Sequence, residues 1–242
     1  MKTTPRIKAR LAGGLNVISA VPAGFSVFVL QKLIVRGDPA ATAAHILGSE
    51  GLFRLGFVAD IVGIMFFVTS ALFLYELFKP ASRSLALLMV FFCLIGSGIQ
   101  TLNSLQDLTA LLFLKAGNTM TALTAAQTQA LAFVFLKMHS FTYDLALAFF
   151  GISTLLIACL VLNATFLPRV LGILMVIDGL GYLTFSFSML LSPPLAARMY
   201  PYIPMLTAAI GEGSLMLWLI VKGVDARRWE EQATAAAGRS DR

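Results

Sequence analysis

Long apolar stretches separated by short polar breaks dominate the pattern along this chain. Six of these stretches are long enough to cross a bilayer core, which takes about 20 apolar residues in a helix. Their approximate bounds are residues 11–35, 52–78, 84–114, 139–163, 170–191 and 201–221. The pattern predicts an all-α fold, a polytopic membrane helix bundle of six transmembrane helices within residues 1–224.

A short helix is predicted in the break between the first two spans. Gly37 ends the first span, Asp38 is a good N-cap, and Pro39 suits the first position of a helix. A helix from Pro39 to Leu47 is too short to cross the membrane. We therefore expect it to lie on the extracytoplasmic surface.

The segment before the fourth span has two interpretations. The helical pattern from residue 123 to 166 is too long for one ordinary span, and its first part contains Gln127, Gln129 and Lys137. We interpret residues 124–137 as an outer extension of the span. A seven-span alternative requires these roughly 14 residues to cross alone, which is too short a length.

Composition agrees with membrane insertion and argues against other classes. Hydrophobic residues make up 58% of the chain and charged residues only 12%, whereas about a quarter is usual for soluble domains. The net charge of +6 comes from basic residues at the ends of apolar runs. That distribution indicates the lipid bilayer as the partner and no nucleic acid.

Orientation follows from the distribution of lysine and arginine. With the N-terminus inside, twelve of the 18 basic residues face the cytoplasm. The positive-inside rule therefore predicts that both termini are cytoplasmic. Residues 225–242 mix both charges, and we expect them to form a polar, mobile cytoplasmic tail.

Spans two to six each carry an acidic residue, and other polar residues accompany them. Such groups cost roughly 2.5 to 3.5 kcal/mol each at membrane depth, so they normally face a bundle interior or a wet cavity. The candidates for a polar cavity are Asp60, Gln100, Asn103, Asp107, His139, Tyr143, Asp144, Asp178, Tyr182 and Glu212. The alternative is that these residues hydrogen-bond neighbouring helices together.

Catalytic and metal motifs are weak. The sequence contains no HExxH, GxSxG, Walker A or dinucleotide-binding glycine pattern. His139 with Asp60, Asp107 and Asp144 could hold a divalent ion, but a lone histidine more often bonds a neighbouring helix. We predict no catalytic residue, no metal site and no cofactor, and the sequence leaves open whether the protein is an enzyme.

Several segments resemble the bacterial family called domain of unknown function 4386. They are residues 37–44 (GDPAATAA), 49–57 (SEGLFRLGF), 82–88 (SRSLALL), 166–172 (FLPRVLG) and 217–223 (LWLIVKG). The resemblance implies a multi-pass protein of the bacterial inner membrane. Because the family is uncharacterised, it supplies no activity and no functional residue.

Three functions remain open. The leading hypothesis is binding or transport of a small solute, coupled to an ion or proton, and it predicts that Asp60, Asp144, Asp178 and Glu212 line one cavity. An accessory or scaffold subunit of a larger membrane complex predicts scattered acids and a broad apolar face for other membrane subunits. An intramembrane enzyme acting on a lipid predicts that His139 and two carboxylates meet within metal-bonding distance.

Overall fold

The computed structural model describes residues 4–116, 122–200 and 202–240, and the regular elements in these ranges are all α-helices. The helices are α1 Pro5–Leu33, α2 Pro39–Gly48, α3 Glu50–Phe78, α4 Arg83–Ala116, α5 Ala125–Asn163, α6 Arg169–Leu191, α7 Pro193–Met199, α8 Tyr202–Ile210, α9 Glu212–Val221 and α10 Ala226–Ser240. Six spans within the described ranges are long and apolar enough to cross a membrane, namely α1, α3, α4, α5, α6 and Tyr202–Val221. The protein is thus an all-α polytopic membrane helix bundle, which confirms the predicted fold class.

The short helix α2 begins where its capping residues predict. The Asp38 carboxylate accepts a hydrogen bond from the Ala41 N–H at 2.9 Å, and Pro39 occupies the first turn. Thr42 closes the preceding turn, because its hydroxyl accepts from the Val35 N–H at 3.0 Å. The helix ends at Gly48, one residue beyond the predicted end.

Helix α5 contains both the fourth span and the segment of ambiguous interpretation. It runs for 39 residues without a break, so its length of about 58 Å exceeds the roughly 30 Å of a bilayer core. A reciprocal cap begins it: Gln127 Oε1 accepts from the Thr124 N–H at 2.8 Å, and the Thr124 hydroxyl accepts from the Gln127 N–H at 3.3 Å. Residues 125–137 are therefore a continuous extension of the span.

The chain divides into two compact units. The first unit comprises Met1–Val17, Phe66–Ser97 and Asp144–Arg242, and the second comprises Ile18–Met65 and Gly98–Tyr143. The boundary falls inside α1, α3, α4 and α5, so each of these helices contributes one part to each unit.

The first unit has a core of tightly packed helices. Leu77, Met175 and Leu215 are fully buried within it. Helices α5 and α6 approach closely, since a Cβ atom at Gly179 would lie 2.9 Å from the carbonyl oxygen of Gly151. Small residues permit such contact between membrane helices, where packing contributes much of the attraction.

The second unit has a smaller apolar core. Ile46 of α2 is fully buried there, and the rings of Phe113 and Phe135 stack with centroids 5.5 Å apart. At the surface of the unit, the Glu50 carboxylate pairs with Lys115 at 3.0 Å. This ion pair joins the first turn of α3 to the last turn of α4.

The C-terminal segment differs from the expected mobile tail. Residues 226–240 form α10, and the indole N–H of Trp229 donates to the Leu77 carbonyl at 2.8 Å. Gln232 also donates to the Asn163 carbonyl at 3.0 Å. The charge pattern alone did not indicate this helix, whose apolar face carries Trp229 and packs on the core of the first unit.

Candidate functional site

The predicted polar residues lie in two groups, one in each unit. The second unit contains Asp60, Gln100, Asn103, Asp107, His139 and Tyr143, and the first contains Asp144, Asp178, Tyr182 and Glu212. Each group is described separately below.

Asp60 of the second unit is surrounded by side-chain donors from α4. Its Oδ2 accepts from the Ser104 hydroxyl at 2.6 Å and from the Gln100 amide at 3.4 Å. The Asn103 amide in turn donates to Gln100 Oε1 at 3.4 Å. These α4 residues are buried, and Asn103 and Ser104 lie three and four positions after Gln100, so they share one side of the helix.

A carboxylate and an imidazole meet beside this network. Asp107 Oδ1 lies 3.1 Å from His139 Nδ1, within ion-pair distance although the two groups are not aligned for a hydrogen bond. Their side chains are only 5% and 13% exposed. Tyr143, one turn further along α5, is 42% exposed. We call Asp60, Gln100, Asn103, Ser104, Asp107 and His139 the aspartate–histidine cluster.

The first unit contains two acids in contact through a backbone group. Asp178 of α6 is fully buried, and its Oδ2 accepts from the backbone N–H of Glu212 at 3.2 Å. The residue between α8 and α9 is Gly211, where a Cβ atom would lie 2.4 Å from the Asp178 Cβ. Only glycine fits this close approach, so Gly211 brings the backbone to Asp178. We call Asp178 and Glu212 the acid pair.

The sixth span is interrupted at the acid pair. Helix α8 ends at Ile210 and α9 begins at Glu212. A continuous helix would direct the Glu212 N–H to the carbonyl of Ala208, whereas here it donates to the Asp178 carboxylate. The N–H groups of its first turn give the start of α9 a partial positive charge, which favours an anionic group at this position.

Hydroxyl groups surround the side chain of Glu212. Its Oε1 is 3.5 Å from the Thr154 hydroxyl, and it also interacts with the Tyr182 hydroxyl. Tyr182 lies one turn after Asp178 on the same face of α6. The two acids are close enough to repel each other electrostatically.

The acid pair has no basic partner among the residues that the structure describes. Neither Asp178 nor Glu212 forms an ion pair with a lysine, arginine or histidine in the part of the chain that the structure describes. Asp178 Oδ1 is buried, and the Thr207 side chain also interacts with the Asp178 carboxyl group. The site therefore combines two carboxyl groups, hydroxyl groups and a helix N-terminus, and no described basic side chain balances its charge.

Asp144 is separate from the acid pair. The residue is 8% exposed, and its backbone carbonyl accepts from the Ser186 hydroxyl at 2.6 Å. Over the described ranges its carboxyl group makes no ion pair or hydrogen bond.

The geometry does not favour a metal centre. Across residues 4–116, 122–200 and 202–240, no three His, Cys, Asp or Glu side chains are grouped so that they could hold a metal ion. His139 faces one carboxylate, Asp107, within ion-pair distance. The ligand set that a metal-dependent lipid enzyme requires is therefore not assembled in these ranges.

Two hydroxyl residues at these sites were not predicted from sequence. Ser104 binds Asp60, and Thr154 binds Glu212. Serine and threonine are common in apolar helices, so their presence alone carries no signal. The one available signal was the position of Ser104 one turn after Gln100, which places both residues on the same face of α4.

Comparison with known proteins identifies the family. The model of domain of unknown function 4386 (DUF4386) matches residues 11–223. An uncharacterised protein of Archaeoglobus fulgidus is 27% identical over 172 residues, covering 69% of this chain and 85% of the relative. No solved structure matches. With six apolar spans and a match over most of its length, the chain belongs to the DUF4386 family of multi-pass membrane proteins.

Proposed function

We propose that the protein is a membrane carrier in which a proton or small cation binds at the acid pair and is coupled to movement of a small solute. The observation that carries the proposal is the uncompensated pair itself. Asp178 is fully buried beside Glu212, and in the described ranges no basic side chain pairs with either residue.

The electrostatics of the pair favour uptake of positive charge. Two neighbouring carboxylates in an apolar surrounding cannot both remain charged at low cost, because burial and mutual repulsion both oppose it. A shared proton or a bound cation removes the repulsion. Intramembrane acids in transporters and pumps act as ion and proton carriers in this way.

The interrupted span also supports a carrier. Discontinuous membrane helices place unpaired backbone groups at a site, and this arrangement recurs in transporters. Here the Glu212 N–H donates to Asp178. Binding of a cation to Asp178 would compete with this contact, which couples occupancy of the site to the geometry of the α8–α9 break.

Location and orientation are part of the same proposal. The protein would reside in a bacterial inner membrane with both termini cytoplasmic, as the family resemblance and the distribution of basic residues suggest. The lipid-enzyme alternative loses support because His139 faces only one carboxylate within ion-pair distance. The separation of Asp144 from the acid pair is what an accessory role predicts, but the exposed apolar side chains on spanning helices do not favour that role, since lipid contact requires them as well.

Ion-jump electrophysiology on solid-supported membranes tests the proposal without knowledge of the solute. Proteoliposomes of the wild-type protein are exposed to steps in pH, Na⁺ and K⁺, and the displaced charge is recorded. We expect a transient current for at least one ion, because binding at a buried site moves charge partway across the membrane.

Glu212→Gln and Asp178→Asn should reduce this current to the level of protein-free vesicles. Glu230→Gln is the matched control, since Glu230 is exposed on α10. Two results would overturn the proposal: no wild-type current for any of the three ions, or acid-pair variants with the same current as the wild type.

A further inference from the structure

A basic pocket lies at one end of the first unit, away from the acid pair. It has a volume of about 480 Å³ and is lined by parts of α1, the α5–α6 loop, the end of α9 and the start of α10. Its cationic lining residues are Arg6, Lys222 and Arg228, and Asp225 is the acidic one. Pockets of this size accommodate small ligands or headgroups.

Two of the three cations are available to a ligand. Arg228 is engaged, because its Nε lies 3.6 Å from Asp225 and its guanidinium donates to the Thr165 carbonyl at 3.4 Å. Arg6 and Lys222 are exposed and make no ion pair or side-chain hydrogen bond within the described ranges. The pocket therefore presents net positive charge that its described lining residues do not neutralise.

The pocket is built on a fixed backbone. Gly223 adopts a φ of 69°, which allows α9 to end sharply, and its N–H donates to the Trp218 carbonyl at 3.0 Å. The Asp225 N–H then donates to the carbonyl of Phe166 in the α5–α6 loop at 3.3 Å. These contacts hold Lys222 and Arg228 around the buried ring of Phe166.

The position of the pocket matches the headgroup level of a bilayer. It lies where the apolar spans α1 and α9 meet polar sequence, and the partly buried Trp218 is a residue type enriched at that level. Below Lys222 on α9, the apolar side chains of Leu217 and Val221 are 60% and 66% exposed. A ligand with a phosphate and an acyl chain can therefore contact the cations and this apolar surface together.

We propose that this pocket binds the phosphate of an anionic phospholipid headgroup, with Arg6 and Lys222 as its charged contacts. Basic pockets between the ends of membrane helices recognise phosphate headgroups by this chemistry. A soluble phosphate would meet the same cations, but it would not use the apolar surface beside Lys222. The proposal is independent of ion binding at the acid pair.

Native mass spectrometry of the full chain in detergent tests the proposal by titration with phosphatidylglycerol or phosphatidylcholine. We expect tighter binding of phosphatidylglycerol. The double variant Arg6→Gln/Lys222→Gln should weaken that binding by about thirtyfold, since each basic residue near an anionic lipid contributes roughly a factor of five. Arg6→Lys/Lys222→Arg, which keeps both charges, should retain most of it.

The matched control is Arg10→Gln/Arg227→Gln, which removes the same charge from α1 and α10 outside the pocket lining. We expect less than about a twofold loss. An equal loss in control and pocket variants would overturn the site by showing only general surface attraction.

Competition with inorganic phosphate and glycerol 3-phosphate distinguishes a lipid headgroup from a soluble phosphate as the ligand. We expect neither compound at 10 mM to displace phosphatidylglycerol. Displacement by either compound, or equal affinity for both lipids, would contradict a lipid headgroup site. Melting temperatures of all variants verify that they remain folded, and the charge-retaining variant keeps the test decisive if the glutamine variant unfolds.

Discussion

The aspartate–histidine cluster and the acid pair both place acidic side chains in apolar surroundings, but the partners of these acids differ. In the cluster, Asp60 receives hydrogen bonds from Ser104 and Gln100, and Asp107 faces the imidazole of His139. In the acid pair, the Asp178 carboxyl group accepts from the backbone N–H of Glu212, and neither acid has a basic partner in the described ranges. A buried acid with hydrogen-bond donors and a basic group nearby holds helices together, whereas two buried acids that lack a basic partner favour uptake of a proton or an ion.

The comparison predicts that changes in the cluster mainly alter stability, whereas changes in the acid pair mainly alter ion binding. Asp178→Asn illustrates the second case, because asparagine keeps an oxygen that can accept from the Glu212 N–H while the negative charge is removed. The next three predictions are ordered by expected size.

His139→Leu should produce the largest loss of stability. It leaves the buried Asp107 carboxyl group without its basic neighbour, and this costs about 3 to 5 kcal/mol where the histidine is protonated and the two groups form an ion pair. The measurement is the free energy of unfolding in mixed micelles. His45→Leu is the control, since His45 is exposed on α2 and should change stability by less than about 0.5 kcal/mol.

Adding Asp107→Leu to His139→Leu should recover much of that loss, because the unpaired carboxylate is then absent. A loss below about 1 kcal/mol for His139→Leu would mean that the pair contributes little. Such a result would contradict the view that the cluster, unlike the acid pair, mainly contributes to stability.

Gly211→Ala should have an intermediate effect on stability and should also reduce the ion-jump current. The new methyl group would overlap Asp178, and overpacking of this kind costs about 1 to 3 kcal/mol. Gly213→Ala is a matched control two residues away, where a Cβ atom would lie 3.8 Å from the nearest contact, the Ala208 carbonyl. We expect the control to be neutral or stabilising by up to about 1 kcal/mol. Equal behaviour of the two variants would contradict the close approach at the break.

Ser104→Ala should have the smallest effect. It removes one hydrogen bond to Asp60, which contributes about 1 kcal/mol. The ion-jump current should be unchanged, because Ser104 belongs to the cluster. Thr109→Ala is the control, as within the described ranges the Thr109 hydroxyl bonds only to the Leu105 carbonyl on its own helix. Loss of the current in Ser104→Ala would assign an ion-binding role to both groups of acids.

The features that sequence predicted well depend on local patterns. Span length and composition determine the six spans, and Asp38 with Pro39 determines the start of α2. The partition of the acids could not be predicted, because it depends on how each helix is rotated about its axis. The helix α10 was missed for a similar reason, since the residues joined by the bond between Trp229 and Leu77 are 152 positions apart.

That bond also bears on the order in which the protein assembles during synthesis. All segments of the second unit have been made once the ribosome has passed Tyr143. The first unit is complete only after α10 has been made. Lys8 pairs with Glu76 at 2.8 Å, but it also lies against the ring of Trp229, which belongs to α10. Since domains generally fold as their sequences become complete, the second unit can form early, whereas the N-terminal residues of α1 gain their last partner only when α10 emerges.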